Sequence, residues 1–188
     1  MMKAEKQALR QAVRGRFPGR EARDGESARI CDHIAAWPVY QRARVVAGYI
    51  PLTREADVTP ILSDALAAGK TLLLPKVKGE RRMTLRRVES LSGLVVGRWG
   101  LKEPPEDAPI VSAGAAELLL IPLEAVDETG ARLGKGGGYY DTLLEETAGV
   151  TLGVALSWQW VEKVPRERWD KPLDPVACIE GIRCLNGG

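Results

Sequence analysis

The chain has 188 residues, 45% hydrophobic and 28% charged, with 27 Lys and Arg against 25 Asp and Glu for a formal charge of +2. The length suits one domain, expected over 1–188 with 186–188 as a frayed tail, and the composition is that of an ordinary globular protein. The near-neutral balance argues against a nucleic-acid partner. Cys31, Cys178 and Cys184 form no CxxC pair, and their odd number gives no disulfide framework, so reduced thiols in a cytoplasmic protein are expected. "MMKAEKQALRQAVRGRF" carries charge from its third residue and no apolar stretch, so it is not read as a secretory signal. No apolar run approaches the roughly 20 residues that a bilayer crossing requires, so no membrane partner is expected.

In chain order, 3–16 reads as a helix with Leu9, Ala12 and Val13 on one side, stopped at Pro18-Gly19. A second helix is predicted over about 21–36, where Ala28, Cys31, Ile34 and Ala35 recur at helical spacing. "RVVAGYI" is a short apolar run before Pro51, suited to a buried strand. "TPILSDALAAG" is a punctuated helix, with Thr59 as N-cap, Pro60 at the first helical position and Gly69 after the end. "TLLLP" (71–75) and "ELLLIP" (from 117) read as buried strands, and "MTLRRV" (83–88) as a more exposed one. The segment from Gly97 to Gly114, with Pro104, Pro105 and Pro109, reads as loop. "YYDTLLEETAG" suggests a helix ending at Gly149, followed by strands at 151–156 and 176–185. Strands apolar on both faces and separated by helices indicate an α/β fold: a three-layer, Rossmann-like variant whose central sheet is mostly parallel or mixed.

The histidine count excludes several mechanisms. His33 is the only one, in mid-helix, and nothing beside it favours a Ser-His or Cys-His nucleophile or a Cys/His zinc site. It reads as a packing or helix-surface residue. "RLGKGGGYYD", Arg132 to Asp141, is the most informative stretch. It is not a Walker A loop, which needs GxxxxGK followed by Ser or Thr, because only three residues separate Gly130 from Gly134 and Gly136 follows the lysine. The dinucleotide pattern GxGxxG fails at Tyr139. The ingredients are still those of an anion site: glycines that let backbone N–H groups approach, Arg132 and Lys135 for charge, and a helix N-terminus behind them. Locally, a phosphate cradle and a plain flexible loop both fit, and Asp141 suits either the helix dipole or Mg²⁺.

Spacing over the whole chain bears on that choice. "KQALR", "GYIPLTREADVTPIL", "LLLPKV", "WGLKEP", "GARLGKGGGYYDTLL" and "TLGVALSWQWVEKVPRERWDKPLD" occur in one order, from about Lys6 to Asp174. Together they closely resemble the 5-formyltetrahydrofolate cyclo-ligase family. The resemblance implies an ATP- and Mg²⁺-dependent ring closure giving 5,10-methenyltetrahydrofolate, ADP and phosphate. It implies ATP contacts at Lys6, Arg10 and the loop Arg132, Leu133, Gly134, Lys135, Gly136, Gly137, Gly138, Tyr139 and Tyr140, with Arg132 and Lys135 as the catalytic cations. It places folate at Ile50 and Glu55 and along Lys135, Gly136, Gly137, Gly138 and Tyr139. It gives Mg²⁺ to Asp141 and Asp170, with Asp174 as the alternative to Asp170. Trp169 stands where many members have histidine.

Among the aromatics, Tyr139, Tyr140 and Trp99 offer faces for a pterin or benzoyl ring, Tyr139 foremost, and Gln159 is a further residue expected to face the site. The partners expected are the small molecules ATP and 5-formyltetrahydrofolate, acting on a cytoplasmic monomer. Two other readings share these features: a relative that binds nucleotide or folate without turnover, and an ATP-dependent ligase for another amide or carboxylate.

Overall fold

The computed structural model describes residues 2–79, 82–97, 100–167 and 171–185. The expected tail at 186–188 lies outside them. The amino-terminal helix is α1 (Met2–Arg14), and α2 is Arg20–Ala36. A one-turn-plus helix α3 (Pro38–Arg42) was not foreseen; Pro38 at its start and an extended Trp37 before it account for the break from α2. The run "RVVAGYI" forms only the three-residue strand β1 (Val45–Ala47), then opens into a loop. In α4 (Thr59–Ala67) the N-cap is Val58 rather than Thr59. Asp57 supplies the side-chain acceptor instead, taking the Thr59 N–H at 3.0 Å.

β2 (Thr71–Gly79) and β3 (Arg82–Val88) form a long antiparallel pair. The stretch read as loop contains short pieces of order: β4 (Val95–Val96) paired with β5 (Lys102–Glu103), then β6 (Ile110–Val111) added to the edge of β3. β7 (Leu118–Pro122) is the apolar strand predicted there. A two-stranded hairpin, β8 (Ala125–Val126) and β9 (Arg132–Leu133), follows and was not foreseen, because its strands are too short to show a period. α5 (Tyr139–Glu146) and β10 (Val150–Val154) sit as predicted. The run 176–185 is two strands, β11 (Val176–Cys178) and β12 (Gly181–Arg183), which double back on each other at Glu180-Gly181.

One eight-stranded sheet runs β12-β11-β10-β7-β1-β2-β3-β6. The five middle strands, β11 to β2 in that order, are mutually parallel and the outer pairings are antiparallel, which is the mixed α/β sheet expected. Strand alternation divides the core in two. Val46, Leu72, Leu74, Leu118 and Leu120 point to a layer with Ile30 and Ile34 of α2 and Ile61 and Leu62 of α4. Ala47, Leu73, Leu119 and Ile121 point the other way, against Leu143 and Leu144 of α5. Each such leucine, when fully buried, stabilises the fold by about 1.5–3 kcal/mol, which is why these runs lack polar alternation.

α1 packs outside these layers. Its Val13 joins Ala125, Ala131, Leu133 and Val164 in a third, smaller cluster built on the β8–β9 hairpin. Gly130 in the hairpin turn has φ +75°, and a Cβ there would lie 2.2 Å from the Leu173 carbonyl oxygen. Its own carbonyl accepts the Leu173 N–H at 2.8 Å. Gly130→Ala is therefore expected to destabilise by about 2–3 kcal/mol, from left-handed backbone strain plus the clash, read as a lowered denaturation midpoint.

Two of the three thiols lie in the core, as expected, and His33 is a helix residue with a contact across to the next layer. Cys31 and Cys178 are buried, Cys184 is exposed, and all three are free. His33 Nε2 lies 3.1 Å from the Ile179 carbonyl, a packing contact between α2 and the β11–β12 turn.

Candidate active site

Strand order reverses at β1. The chain moves from β1 to β2 on one side, then returns through β7 to the other side and on to β10. Loops leaving the carboxyl ends of two adjacent parallel strands at such a point diverge and leave a crevice. The loop after β1 carries Glu55, and the segment after β7 carries Glu124. Both are buried carboxylates, 5% and 4% exposed, so each requires a cation.

One lysine serves both. The Lys135 ammonium lies 3.1 Å from Glu124 Oε1 and 3.4 Å from Glu55 Oε1. Glu124 is also gripped by Arg14 of α1, whose Nη2 donates to Oε1 at 2.8 Å and whose Nε donates to Oε2 at 3.2 Å. Burial disfavours charge on Glu124, but the Arg14 and Lys135 bonds outweigh it and hold the carboxyl below its ordinary range. For Glu55 burial wins: its pKa is raised despite Lys135 and the Leu52 N–H, which donates to Oε2 at 2.8 Å. A cleft of about 350 Å³ opens on this group, lined by Arg14, Leu52, Thr53, Arg54, Glu124 and Lys135. A larger open groove of about 570 Å³ beside β3 shares no residue with it and gathers no comparable cluster.

The elements around the cleft are fastened from α2. Arg23 donates to the Thr53 carbonyl at 3.3 Å and stands 3.8 Å from Asp57, and Ser27 Oγ accepts the Asp57 N–H at 2.9 Å. These bonds fix the loop that presents Glu55. Opposite it, the glycine loop between β9 and α5 runs from Gly134 through Gly136 to Gly138, which caps α5 in the left-handed region. Arg10 Nε donates to the Gly134 carbonyl at 2.8 Å, tying α1 to that loop. The Tyr139 ring folds back over Gly137, where a Cβ would sit 2.6 Å from it; only glycine leaves room for that ring.

The predicted residues therefore divide. Glu55 and Lys135 are in direct contact, Arg10 reaches the Gly134 carbonyl beside Lys135, and Lys6, one turn before Arg10, is 3.6 Å from Glu167. Arg132 and Asp141 pair at 2.5 Å across the start of α5, with the Asp141 carboxylate exposed. Leu133 is buried in the third core cluster, so its side chain packs and only its backbone borders the loop. Ile50 packs on the first core layer and Tyr140 on the second, the latter with its phenol pKa raised by burial. Gln159 does not face the cleft: it is 3% exposed, its oxygen accepts the Leu156 N–H at 2.8 Å and its nitrogen donates to the Leu123 carbonyl at 2.6 Å. Asp174 Oδ1 accepts the Leu185 N–H at 3.0 Å. Asp170, Trp169 and Trp99 lie outside the described residues.

Two members of the cluster were not anticipated. Arg14 extends the Lys6–Arg10 stripe by one more turn, so helical spacing alone pointed to it. Glu124 stands just beyond an apolar strand, where a lone carboxylate at a parallel strand's carboxyl end is a ligand-site signal.

A mixed α/β sheet with a charged cleft at its switch point has its cleft where open α/β proteins bind small ligands. The comparisons give the family. The model of the 5-formyltetrahydrofolate cyclo-ligase family matches residues 2–178. The 5-formyltetrahydrofolate cyclo-ligase of Escherichia coli strain K12 is 31% identical over 89% of this chain and 94% of its own. That of Mycolicibacterium smegmatis is 29% identical over 82% of both. The solved structure of Aquifex aeolicus 5,10-methenyltetrahydrofolate synthetase superposes with a TM-score of 0.86 at 36% identity, covering 97% of this chain and 94% of that one. The chain belongs to the 5-formyltetrahydrofolate cyclo-ligase family, and is a ligase of one-carbon metabolism.

Proposed function

We propose that the cleft at Lys135 is where this chain converts 5-formyltetrahydrofolate to 5,10-methenyltetrahydrofolate, with ATP becoming ADP and phosphate. The observation that supports it is the position of one ammonium of the glycine loop, between a carboxylate of the loop after β1 and one of the segment after β7. Glu55 would meet the folate, the glycine loop and α1 would meet ATP, and Lys135 would stand where the two reacting ends join.

A formyl group on N5 is an amide, with a weakly electrophilic carbon and an oxygen that leaves poorly. Attack of that oxygen on the γ-phosphorus of ATP expels ADP and turns the oxygen into a phosphate leaving group. N10 then bonds to the formyl carbon, loses its proton, and phosphate departs with the oxygen. N10 is tethered to its target, so closure gains from a high effective concentration. The protein's part is alignment and charge stabilisation. Lys135 would contact the transferring phosphoryl group, Arg132 and Arg10 would hold the polyphosphate near the Gly134–Gly138 backbone, and Glu55 would orient the folate. Tyr139, lying over Gly137, would supply a face to the folate ring.

The donor chemistry suits magnesium: Asp141 offers hard oxygen, and Mg²⁺ typically takes one or two carboxylates with phosphate and water for the rest. Among the described residues no group of three or more His, Cys, Asp or Glu converges. Asp141 and Asp170 would hold the ion, which when bound neutralises phosphate charge.

The test incubates the protein with MgATP and 5-formyltetrahydrofolate and follows methenyltetrahydrofolate by its near-ultraviolet absorbance. Product above a no-enzyme control is expected; folded protein that makes none defeats the proposal. In the same assay Asp141→Asn is expected to raise the Mg²⁺ concentration for half-maximal rate about tenfold or more, and an unchanged Mg²⁺ dependence removes Asp141 from the metal site.

A further inference from the structure

The Glu124 carboxylate is nearly inaccessible, yet both of its oxygens are occupied by side chains of elements far apart in the chain. Arg14 comes from α1 and takes both oxygens in a fork. Lys135 comes from the glycine loop and shares Oε1. Such a fork fixes the carboxylate plane as well as its place, which a lysine at position 14 would not do. An ammonium has three N–H donors in fixed tetrahedral relation. One is donated to Glu124 Oε1 at 3.1 Å, Glu55 pairs with the same ammonium at 3.4 Å, and Lys135 itself lines the cleft together with Arg14 and Glu124. The ammonium is thus held between two fixed carboxylates, with donor capacity left over on the cleft side.

We propose that Glu124, clamped by Arg14, is a positioning residue for the reaction: it holds the Lys135 ammonium so that one N–H stays aimed into the cleft. This rests on the cyclo-ligase reading of the site. Without Glu124, Lys135 has Glu55 as its remaining carboxylate partner in the cluster, and its ammonium collapses onto the group assigned to folate. Ground-state binding of ATP, shared among Arg10, Arg132 and the loop backbone, is little affected. Stabilisation of the transferring phosphoryl group is what is lost.

The charges bear the same way. The titratable groups facing Glu55 are Lys135, Glu124 and the phenols of Tyr49 and Tyr140; those facing Glu124 are Arg10, Arg14 and Lys135. The negative charge of Glu124 raises the pKa of Glu55. Removing that charge, and letting Lys135 move onto Glu55, both lower it.

The experiment compares wild type, Glu124→Gln and Arg14→Lys by steady-state kinetics in both substrates and by the pH dependence of kcat/KM. For Glu124→Gln, kcat is expected to fall about ten- to a hundredfold, with the KM for ATP changed less than about threefold, and with the acid limb of the profile moved to lower pH. Arg14→Lys keeps the charge but loses the fork, and is expected to show a smaller kcat loss of the same kind. It also decides the matter if Glu124→Gln does not fold. A wild-type kcat and an unmoved acid limb in a folded variant overturn the proposal, as does a loss confined to thermal stability. Absence of turnover in wild type counts against the cyclo-ligase reading itself, and is seen before any variant is compared.

Discussion

Lys135→Ala is expected to lower kcat by about 10²–10³-fold while leaving the protein folded, the size of loss seen when one preorganised donor to a developing charge is removed. The Lys135 side chain is 40% exposed and sits in a loop outside the hydrophobic core, so its removal opens no apolar cavity. Glu124 keeps its Arg14 fork, and Glu55 keeps the Leu52 N–H. What disappears is the one ammonium common to both sides of the cleft. With Lys135 gone, Glu55 loses the charge that most opposes the effect of its burial, so its pKa rises further. The acid limb of kcat/KM in this variant is therefore expected to move up, opposite in sign to that of Glu124→Gln. Rates measured with saturating MgATP and folate check the first statement, and a kcat within threefold of wild type would falsify the role given to the loop.

Asp127→Ala is the substitution with the largest expected cost to stability, about 3–5 kcal/mol. Asp127 is buried between the hairpin and the segment that leads to Val164. Its Oδ1 accepts the Thr129 N–H at 2.9 Å, the Thr129 hydroxyl at 2.6 Å and the Ala131 N–H at 3.2 Å, and its Oδ2 accepts the Val164 N–H at 2.8 Å. Alanine leaves several of these donors unsatisfied. Burial works against the carboxylate charge, but the bonds from Thr129, Val164 and Ala131 outweigh it and depress the folded pKa. The unfolded value is about 3.9, so this contribution is complete above that pH and fades as pH falls through the lower folded value. The stability gap between wild type and Asp127→Ala should be constant near neutrality and narrow only in strong acid. Denaturant unfolding at pH 7 and near pH 3 measures it; a gap that is equally large at both means the ionised carboxylate is not the source.

The layered α/β plan was legible because its signals were long. "TLLLP" and "ELLLIP" have no polar side to expose, and Pro60 and Gly69 bracket a helix in the only order helices favour. The site was legible where its residues are clustered along the chain, as in the glycine loop. It was obscure where tertiary contact alone creates the meaning. Glu124 looks like a stray charge until Arg14, 110 positions earlier, is folded against it. Gln159 seemed to face the cleft because of its neighbours in sequence, but two backbone groups in reach claimed its amide. The β8–β9 hairpin escaped for another reason: two-residue strands carry no periodicity, and what holds them is Asp127 and the apolar side of α1 rather than strand propensity.

The contacts of α1 also carry a consequence for biosynthesis. Its apolar residue Val13 and its arginines find their partners at 124, 125, 131, 133, 134 and 164. A chain growing from the ribosome presents this helix more than a hundred residues before its docking surface. At a synthesis rate of about 5–20 residues per second, α1 waits for several seconds as an isolated segment of 13 residues, too short to be stably helical in water. The central strands can be in register before it settles. Completion of the cleft by α1 therefore waits on residues made more than a hundred positions after it.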